Sequence, residues 1–357
     1  MITEADVRAA LREVSYPGLR RDIVSLGMVR SVAVRNDRVH VSLTVSTERE
    51  EVPALLREAV RARLERAGAI RSEVQLLTPE RKPAERDPWS GQVRLAGARR
   101  IIAVGAGKGG VGKSTVAVNL ALALQLTGLR VGVLDADIYG PSVPVLLGLE
   151  DGAKRARMNE HKQILPLEAY GLSVVSFGFF LGEKSPAVWR GPMVGKAVTQ
   201  FSRGVVWPDV DVLVVDLPPG TGDVPLSLAQ SVVVDGAIVV TTPQRLASLE
   251  AAKAVAMFTT LRVPVLGVVE NMSYATDPHG HRWHPFGSGG GATLANDAGV
   301  PLLGQLPFED GMVGDADRGA PAMVAVPESE VAIVMRSIAD QVRHALQLDA
   351  VRTEGAA

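Results

Sequence analysis

The glycine-rich stretch GAGKGGVGKST, residues 105–115, constrains the fold of this chain more than any other feature. It follows the strand-like run RIIAV and precedes TVAVNLALALQL, which is typical of a helix. Glycines let main-chain amides close around phosphate oxygens without Cβ clashes, and a helix N-terminus adds its positive end. Strand, loop and helix in this order therefore predict an ATP site. Its residues are Gly107, Lys108, Gly109, Gly110, Val111, Gly112, Lys113, Ser114 and Thr115.

Three side chains of this loop carry chemical information. Lys113 can reach the β and γ phosphates, and the Ser114 hydroxyl can ligate Mg²⁺. The alternative is a glycine-rich turn that binds nothing, but two of the chain's eight lysines lie in this one loop, which favours the phosphate site. Lys108 is the more informative lysine, because an ordinary phosphate loop does not need one at its second position.

Polar residues follow three other predicted strands. VLDADIYGPS places Asp135 and Asp137 just past a strand, and DVLVVDLPPGTGD places Asp216 at the end of another. There a carboxylate can hold Mg²⁺ through water or orient the attacking water, since the charge of a triphosphate needs a metal that keeps several waters. ENMS places Asn271 where an amide could meet the edge of adenine. Taken singly, each of these residues could instead be a strand-end or capping residue.

From residue 98 on, apolar runs alternate with helical stretches. Continuous apolar strands between helices indicate a parallel sheet covered on both faces. We predict an α/β P-loop NTPase domain over 98–357, with a mostly parallel sheet covered by helices. Residues 1–78 have the order α-β-β-α-β of a small α+β domain, and the proline- and charge-rich 79–97 is predicted to be a linker. The six apolar runs are RIIAVGAG, RVGVLDAD, DVLVVDL, GAIVVTT, VPVLGVVE and PLLGQLP.

Composition excludes several classes of protein. The chain has no cysteine, so it has no disulfide, thiolate nucleophile or cysteine-ligated zinc. Its net charge of −1 gives no global basic field to attract nucleic acid or an anionic membrane. No apolar run is long enough to span a membrane, and MITEADVRAALREV lacks the apolar core of a signal peptide. We expect a cytoplasmic protein with neither nucleic acid nor membrane among its partners.

The loop KGGVGKST resembles that of the MinD, ParA and nitrogenase iron-protein class of ATPases. In that class the extra lysine crosses a dimer interface to the partner's nucleotide, so the resemblance implies a homodimer that sandwiches two ATP molecules. Lys108 would be that lysine and Lys113 the phosphate lysine. By the same resemblance, Asp137 lies near the hydrolytic water, Asp216 is the Walker B acid and Asn271 contacts adenine.

Further motifs resemble the Mrp/ApbC family of ATP-dependent iron–sulfur cluster carriers over about 98–325. In order they are DADIYGPS, WRGPMVGKA, DLPPGTGDVPLSLAQ, TTPQ, ENMSY and FGSGGG. RRDIVSLGMVRSVAV resembles the small domain found in front of many of these ATPases and in iron–sulfur assembly factors. The resemblance implies a cluster held between two subunits and delivered to client apoproteins. Arg190, in WRGPM, is a candidate for a phosphate or interface contact, with packing as the alternative.

The chain departs from the family at the cluster ligands. Many members have C-P-x-C soon after the NMSY tyrosine, and the matching residues 277–280 are DPHG. Asp277, His279, His281 and His284 of this loop have the residue types of a nitrogen and oxygen site for a transition metal. Three interpretations stay open: a solvated polar loop, a metal site without sulfide, and a labile cluster completed by external thiols.

Three functions therefore compete. The first is an ATPase that carries or helps assemble iron–sulfur clusters, and the second is a metal-delivery or regulatory ATPase that uses the histidine loop. The third is a positioning or partitioning ATPase, which needs a basic amphipathic tail for a membrane or a basic face for DNA. The C-terminal SEVAIVMRSIADQVRHALQL is amphipathic but mixed in charge, which is more typical of a packing helix.

Overall fold

The computed structural model describes residues 2–348 other than 20, 46, 48, 50, 78–88, 90, 152–154, 181–200, 202 and 278. The chain divides into two compact units, Met1–Arg86 and Asp87–Ala357. Arg190 and the WRGPMVGKA motif lie outside the described residues.

The first unit is a three-stranded sheet with two helices packed on one face. Its elements are α1 (Glu4–Arg12), β1 (Val29–Arg35), β2 (Arg38–Thr44), α2 (Val52–Arg66) and β3 (Arg71–Leu77). The sheet order is β1-β2-β3, with β1 antiparallel and β3 parallel to β2. Thr3 and Asp6 form a capping box at the start of α1, because the side chain of each accepts the main-chain amide of the other.

The second unit is a larger α/β assembly. Its strands are β4 (Ala98–Ala106), β5 (Val131–Asp135), β6 (Arg157–Met158), β7 (Ile164–Leu165), β8 (Leu167–Ala169), β9 (Leu172–Ser176), β10 (Val210–Asp216), β11 (Gly236–Thr241), β12 (Val265–Glu270), β13 (Ala275–Thr276), β14 (Arg282–Trp283) and β15 (Leu302–Gln305). Its helices are α3 (Lys113–Leu126), α4 (Val143–Leu146), α5 (Asp223–Ser231), α6 (Arg245–Thr260), α7 (Gly290–Ala298), α8 (Met312–Asp317), α9 (Ala322–Ala325) and α10 (Glu330–Ala345).

Eight of the described strands of this unit form one sheet in the order β15-β12-β11-β4-β10-β5-β9-β8, while β6 pairs with β7 and β13 with β14 in two separate two-stranded sheets. All neighbouring strands are parallel except β8 and β9. The six apolar runs of the sequence form six consecutive strands of this sheet, β15 to β5, so the predicted fold is confirmed. The carboxyl ends of parallel strands meet at one edge, which is where α/β proteins bind their ligands.

Helices cover both faces of the sheet. Helices α3, α9 and α10 pack on one face, and α5, α6 and α7 pack on the other. Buried residues run without a break from Val116 to Leu124 of α3, which is enclosed by the sheet and α10. In α10, Val331, Ile338 and Val342 are buried, which confirms the C-terminal segment as a packing helix.

Two parts of this unit differ from the simple sequence pattern. The short strands β6 to β9 carry no long apolar run and were not among the predicted strands. In the segment predicted as a linker, the Val93 amide donates to the Ser231 carbonyl at 3.1 Å, and Leu95 is 6% exposed. These residues therefore pack within the second unit, because the main chain of Val93 pairs with residues 231–233 and the side chain of Leu95 is buried.

Candidate functional site

The glycine-rich loop joins β4 to α3, and its main-chain conformation and close packing require glycine at several positions. Gly110 and Gly112 have φ of +79° and +78°, a left-handed conformation that favours glycine. Gly107 lies so close to α6 that a Cβ atom would be 2.1 Å from the main chain of Glu250. The loop therefore holds its shape only with glycines at these positions.

A cavity of about 260 Å³ opens at this loop. Lys108, Lys113, Ser114, Thr115 and Asp137 line it. The structure thus brings the loop and one of the predicted aspartates to a single site. Helix α3 begins at Lys113, so its N-terminal amides lie at the same place and favour an anion.

Lys113 and Asp216 form a buried ion pair. The Lys113 ammonium donates to Oδ1 of Asp216 at 2.5 Å and to the Ser114 hydroxyl at 3.1 Å. Burial raises the pKa of Asp216, although the charge of Lys113 acts in the opposite direction. The second carboxylate oxygen, Oδ2, is buried and has no hydrogen-bond partner in the described part of the chain. An uncompensated buried acceptor of this kind fits a cation.

Asp135 lies directly opposite Asp216, on the neighbouring strand β5. It is fully buried, and burial together with the charge of Asp216 raises its pKa to about 7. Its carboxylate accepts from the Ser176 hydroxyl at 2.9 Å and from the amides of Asp137 and Val143 at 3.1 and 3.3 Å. Asp135 therefore also orders the loop that follows β5.

Asp137 is the aspartate of this loop that lines the phosphate cavity. Its Oδ1 accepts the amides of Tyr139 and Gly140, each at 3.2 Å, so the turn fixes the carboxylate. It is 7% exposed. Asp135 does not line the cavity, so the two aspartates predicted from one motif have different surroundings.

Asn271 contacts the glycine-rich loop. Its Nδ2 donates to the Val111 carbonyl at 2.9 Å, and the side chain is nearly buried. A Cβ atom at Gly112 would lie 2.2 Å from this amide nitrogen. The amide predicted to meet adenine thus braces the loop that would bind phosphate.

A second, apolar cavity of about 220 Å³ adjoins the one at the glycine-rich loop and shares Gly112, Thr115 and Leu146 with it. Met272 and Phe308 contribute to its lining, beside Asn271. Sequence reasoning missed Phe308, for which the only signal is an aromatic residue just past β15. A flat apolar group attached to a phosphate chain would fill both cavities.

Lys108 differs from Lys113 in its surroundings. It is half-buried at the cavity, and its ammonium has no ion pair or hydrogen bond among the described residues. A lysine amine at the mouth of an anion site, with its charge unpaired within the chain, can reach a ligand or a second molecule.

The hairpin formed by β13 and β14 follows Asn271. Asp277 closes its turn, because Oδ1 accepts the amides of His279 and His281, each at 2.8 Å. These main-chain hydrogen bonds, that of His281 first, lower the pKa of Asp277. The residue at the first cysteine position of C-P-x-C is therefore a main-chain cap here.

The histidines of the hairpin have different surroundings. The ring of His281 is largely exposed, with Nδ1 3.3 Å from Oδ2 of Asp277. His284 is 2.9 Å from the Ser273 carbonyl through its Nδ1, and its ring meets Tyr274 edge-on. Within the described ranges, no three histidine or acidic side chains are grouped so that they could hold a metal ion.

Glu330, the first residue of α10, fixes the base of the hairpin. Its carboxylate accepts from the Tyr274 hydroxyl at 2.8 Å and pairs with Arg282. The Arg282 guanidinium lies 4.3 Å from the centre of the Tyr274 ring. Burial and the hydrogen bond to Glu330 raise the pKa of Tyr274 to about 12. The hairpin is thus fixed at its base by contacts within the chain.

Glu270 organises the main chain around Asn271. Its buried carboxylate accepts from the Ser273 hydroxyl at 2.6 Å, the Gly291 amide at 2.5 Å and the Gln305 side chain at 2.8 Å. These donors come from the segment between β12 and the hairpin, from α7 and from β15. Because every donor is internal, this carboxylate is structural, and it positions the end of β12.

Two family profiles match the chain. One, described as NUBPL iron-transfer P-loop NTPase, matches residues 97–343, and one described as iron–sulfur cluster assembly protein matches residues 4–75. An iron–sulfur cluster carrier protein of Salmonella typhimurium is 42% identical over 95% of this chain and 91% of its own length. One of Deinococcus radiodurans is 44% identical over 92% of each chain.

Solved structures support the same fold. A nucleotide-binding protein of Archaeoglobus fulgidus in complex with ADP is 36% identical, with a TM-score of 0.56 over 63% of this chain and 88% of its own. The cell division ATPase MinD of Pyrococcus furiosus is 22% identical, with a TM-score of 0.51 over 69% of this chain and 99% of its own. Among the described residues, no helix combines the length and apolar character that a membrane-spanning segment needs.

Proposed function

Because the chain belongs to the family of iron-transfer P-loop NTPases, we propose that it is an ATP-hydrolysing factor of iron–sulfur cluster carriage and assembly, switched by nucleotide as a homodimer. The observation that carries the proposal is one continuous site. It joins a cavity lined by two lysines to an apolar cavity that has room for a base. Its relatives named iron–sulfur cluster carrier proteins span almost the whole chain.

The donors of the site fit Mg²⁺. The Ser114 hydroxyl would hold it directly, and the unpaired Oδ2 of Asp216 and the carboxylate of Asp135 would act through water. Bound there, Mg²⁺ would offset the charge of the triphosphate. Lys113 would orient the β and γ phosphates, and Asp137 would position the attacking water. In this arrangement Asn271 keeps the main-chain amides of the loop aimed at phosphate.

The homodimer rests on Lys108. Its ammonium lies at the cavity and has no partner in the described part of the chain, whereas Lys113 is paired. A second copy facing the cavity would bring its own nucleotide within reach of this amine. Hydrolysis would then require two chains, and the nucleotide would control their association.

The cluster is the cargo, and this chain supplies no thiolate for it. Asp277 uses its carboxylate on main-chain amides, at the place where the family resemblance implies a cysteine. Sulfur ligands would therefore come from the protein that donates or receives the cluster, or from a small thiol. The chain would contribute the ATP-driven opening and closing of the dimer.

Anaerobic reconstitution with iron and sulfide tests the cargo. The full chain is reconstituted with and without ATP and with and without glutathione, desalted, and assayed for bound iron, sulfide and visible absorption. We expect a cluster to be retained only when the external thiol is present. No retained cluster under any condition, in protein that still binds ATP, would contradict carriage with a small thiol, and the sulfur ligands would then have to come from the donating or receiving protein.

A metal-delivery function remains the second candidate because His279 and His281 are exposed at the tip of the hairpin. In the described ranges of one chain, no third ligand is grouped with these two side chains. A metal ion would therefore have to be bound jointly by the hairpins of two chains. A Zn²⁺ titration of the ATP-bound protein that gave no saturable binding would remove this candidate.

The cytoplasmic location stays a prediction from the sequence.

A further inference from the structure

Three arginines form a row across the sheet of the first unit. Arg38 of β2 lies directly opposite Arg35 of β1 on one side and Arg71 of β3 on the other. Residues opposite each other in neighbouring strands point to the same face, about 5 Å apart at the main chain. The helices cover Val39 and Val41, so the arginines lie on the uncovered face.

This row borders a groove. A cavity of about 580 Å³ is lined by the three arginines and by His40 and Glu73, which are opposite each other in the next row of the sheet. The lining also includes Arg61 of α2, with Val39 and Ser72 of the helix-covered face, so the groove passes around the end of the strands. All four arginines are exposed. None of their guanidinium groups has an ion pair or side-chain hydrogen bond among the described residues.

The row is unfavourable for the isolated unit. Like charges directly opposite each other in a sheet repel. The core of the unit does not need these arginines, because their side chains lie outside it. Water and salt screen the repulsion between four unpaired guanidinium groups around one groove, and an anion between them would turn it into attraction. Guanidinium groups bind carboxylates and phosphates through two parallel hydrogen bonds.

The lining distinguishes between anions. Glu73 places a negative charge inside the groove, which repels a compact dianion more than separate single charges. The imidazole of His40 is the only ring in the lining, so the groove has no aromatic platform on which bases could stack. A groove with cations on three neighbouring strands and one acid fits an extended chain with spaced carboxylates.

We propose that this arginine groove of the first unit binds an acidic polypeptide segment of a partner protein. The proposal is independent of the ATP site and of any cluster, since every residue of the groove belongs to β1, β2, β3 or α2. The partner's aspartate and glutamate side chains would pair with Arg35, Arg38 and Arg71 across the sheet.

A labelled hexaglutamate peptide tests the groove by fluorescence anisotropy with the full chain at low salt. We expect saturable binding of hexaglutamate and none of hexaglutamine. Arg38→Glu should weaken binding by about tenfold or more, because it removes one ion pair and repels the ligand. Arg57→Glu is the matched control: Arg57 is an exposed arginine of α2 that does not line the groove. It should leave binding unchanged.

Circular dichroism separates lost binding from lost folding. Arg38→Glu places a carboxylate between Arg35 and Arg71, so its unfolding temperature should equal or exceed that of the wild type. Equal loss of binding in Arg38→Glu and Arg57→Glu would overturn the groove as the site. Displacement of the peptide by inorganic phosphate or a single-stranded oligonucleotide at lower concentration than by unlabelled hexaglutamate would overturn the polypeptide as its ligand.

Discussion

The side-chain amide of Asn271 donates to the main-chain carbonyl of Val111, 2.9 Å away and 160 residues earlier in the chain. The end of β12 thereby holds the loop between β4 and α3. The phosphate-binding shape depends on this long-range contact as well as on the glycines of the loop.

Asn271→Ala should weaken nucleotide binding by about tenfold, because it removes a buried hydrogen bond that shapes the loop. Isothermal titration with ATP and with inorganic tripolyphosphate separates two roles. Equal weakening of both ligands is expected for a brace, whereas weakening of ATP alone would show a base contact instead. Asn296→Ala, at an exposed position of α7, is the control and should bind both ligands normally.

Lys113→Ala should destabilise the second unit by about 3 kcal/mol, because it leaves Asp216 buried and unpaired. Adding Asp216→Asn should recover part of this loss. Urea unfolding followed by tryptophan fluorescence measures the stability of each variant, since all four tryptophans belong to the second unit. A double variant as unstable as the sum of the two single variants would show that the two side chains are not coupled.

The raised pKa of Asp135 predicts a pH dependence. The folded protein binds this proton more tightly than the unfolded chain, so the stability that protonation gives is lost as pH rises from 3.8 to about 7. Relative to the wild type, Asp135→Asn should therefore gain stability across that window and show no further change above it. Urea unfolding of both proteins at several pH values measures the difference. A difference that stays constant with pH would contradict the shift.

Lys108→Ala should retain ATP binding but lose hydrolysis by about a hundredfold or more, because a positioned cation would be absent from the transition state. Steady-state phosphate release and equilibrium binding are measured on the same protein. The wild-type rate per chain should also rise with protein concentration. Lys253→Ala, which removes an exposed lysine of α6, is the control. Equal loss of binding and hydrolysis would place Lys108 on its own chain's nucleotide.

Asp277→Cys with Gly280→Cys should give the chain a cluster that survives desalting without added thiol. The two changes supply the pair of sulfur ligands that the family resemblance implies for this hairpin. Gly280 has no atom within 4 Å of an added Cβ, although its φ of +85° means that a side chain there is strained by about 1 kcal/mol. Asp277→Ala, which removes the cap and adds no thiol, is the control and should retain no cluster.

Regular elements and their order were predictable because their signals are local. The apolar runs that become β4, β5 and β10 set the sheet, and the sheet places Asp135 opposite Asp216. What the sequence could not show depends on contacts between distant segments. Neither the donation from Asn271 to Val111 nor the place of Phe308 at the apolar cavity has a local signal.

The short strands β6 to β9 were missed for a different reason. They are two to five residues long, so they offer too few positions for a period to show. The cap formed by Asp277 could have been anticipated, because aspartate often accepts main-chain amides in turns. The histidines around it are equally typical of a metal site, so the sequence alone could not distinguish the two interpretations.

The hairpin that Asp277 closes has one more consequence. Its turn is completed by the chain's own carboxylate and amides, and its base is fixed by Glu330. A partner that touches this hairpin therefore meets the same surface whether or not any cargo is present. The described residues of this hairpin therefore give no signal of loading through their shape, which leaves the nucleotide site as the place from which the proposed switch would act.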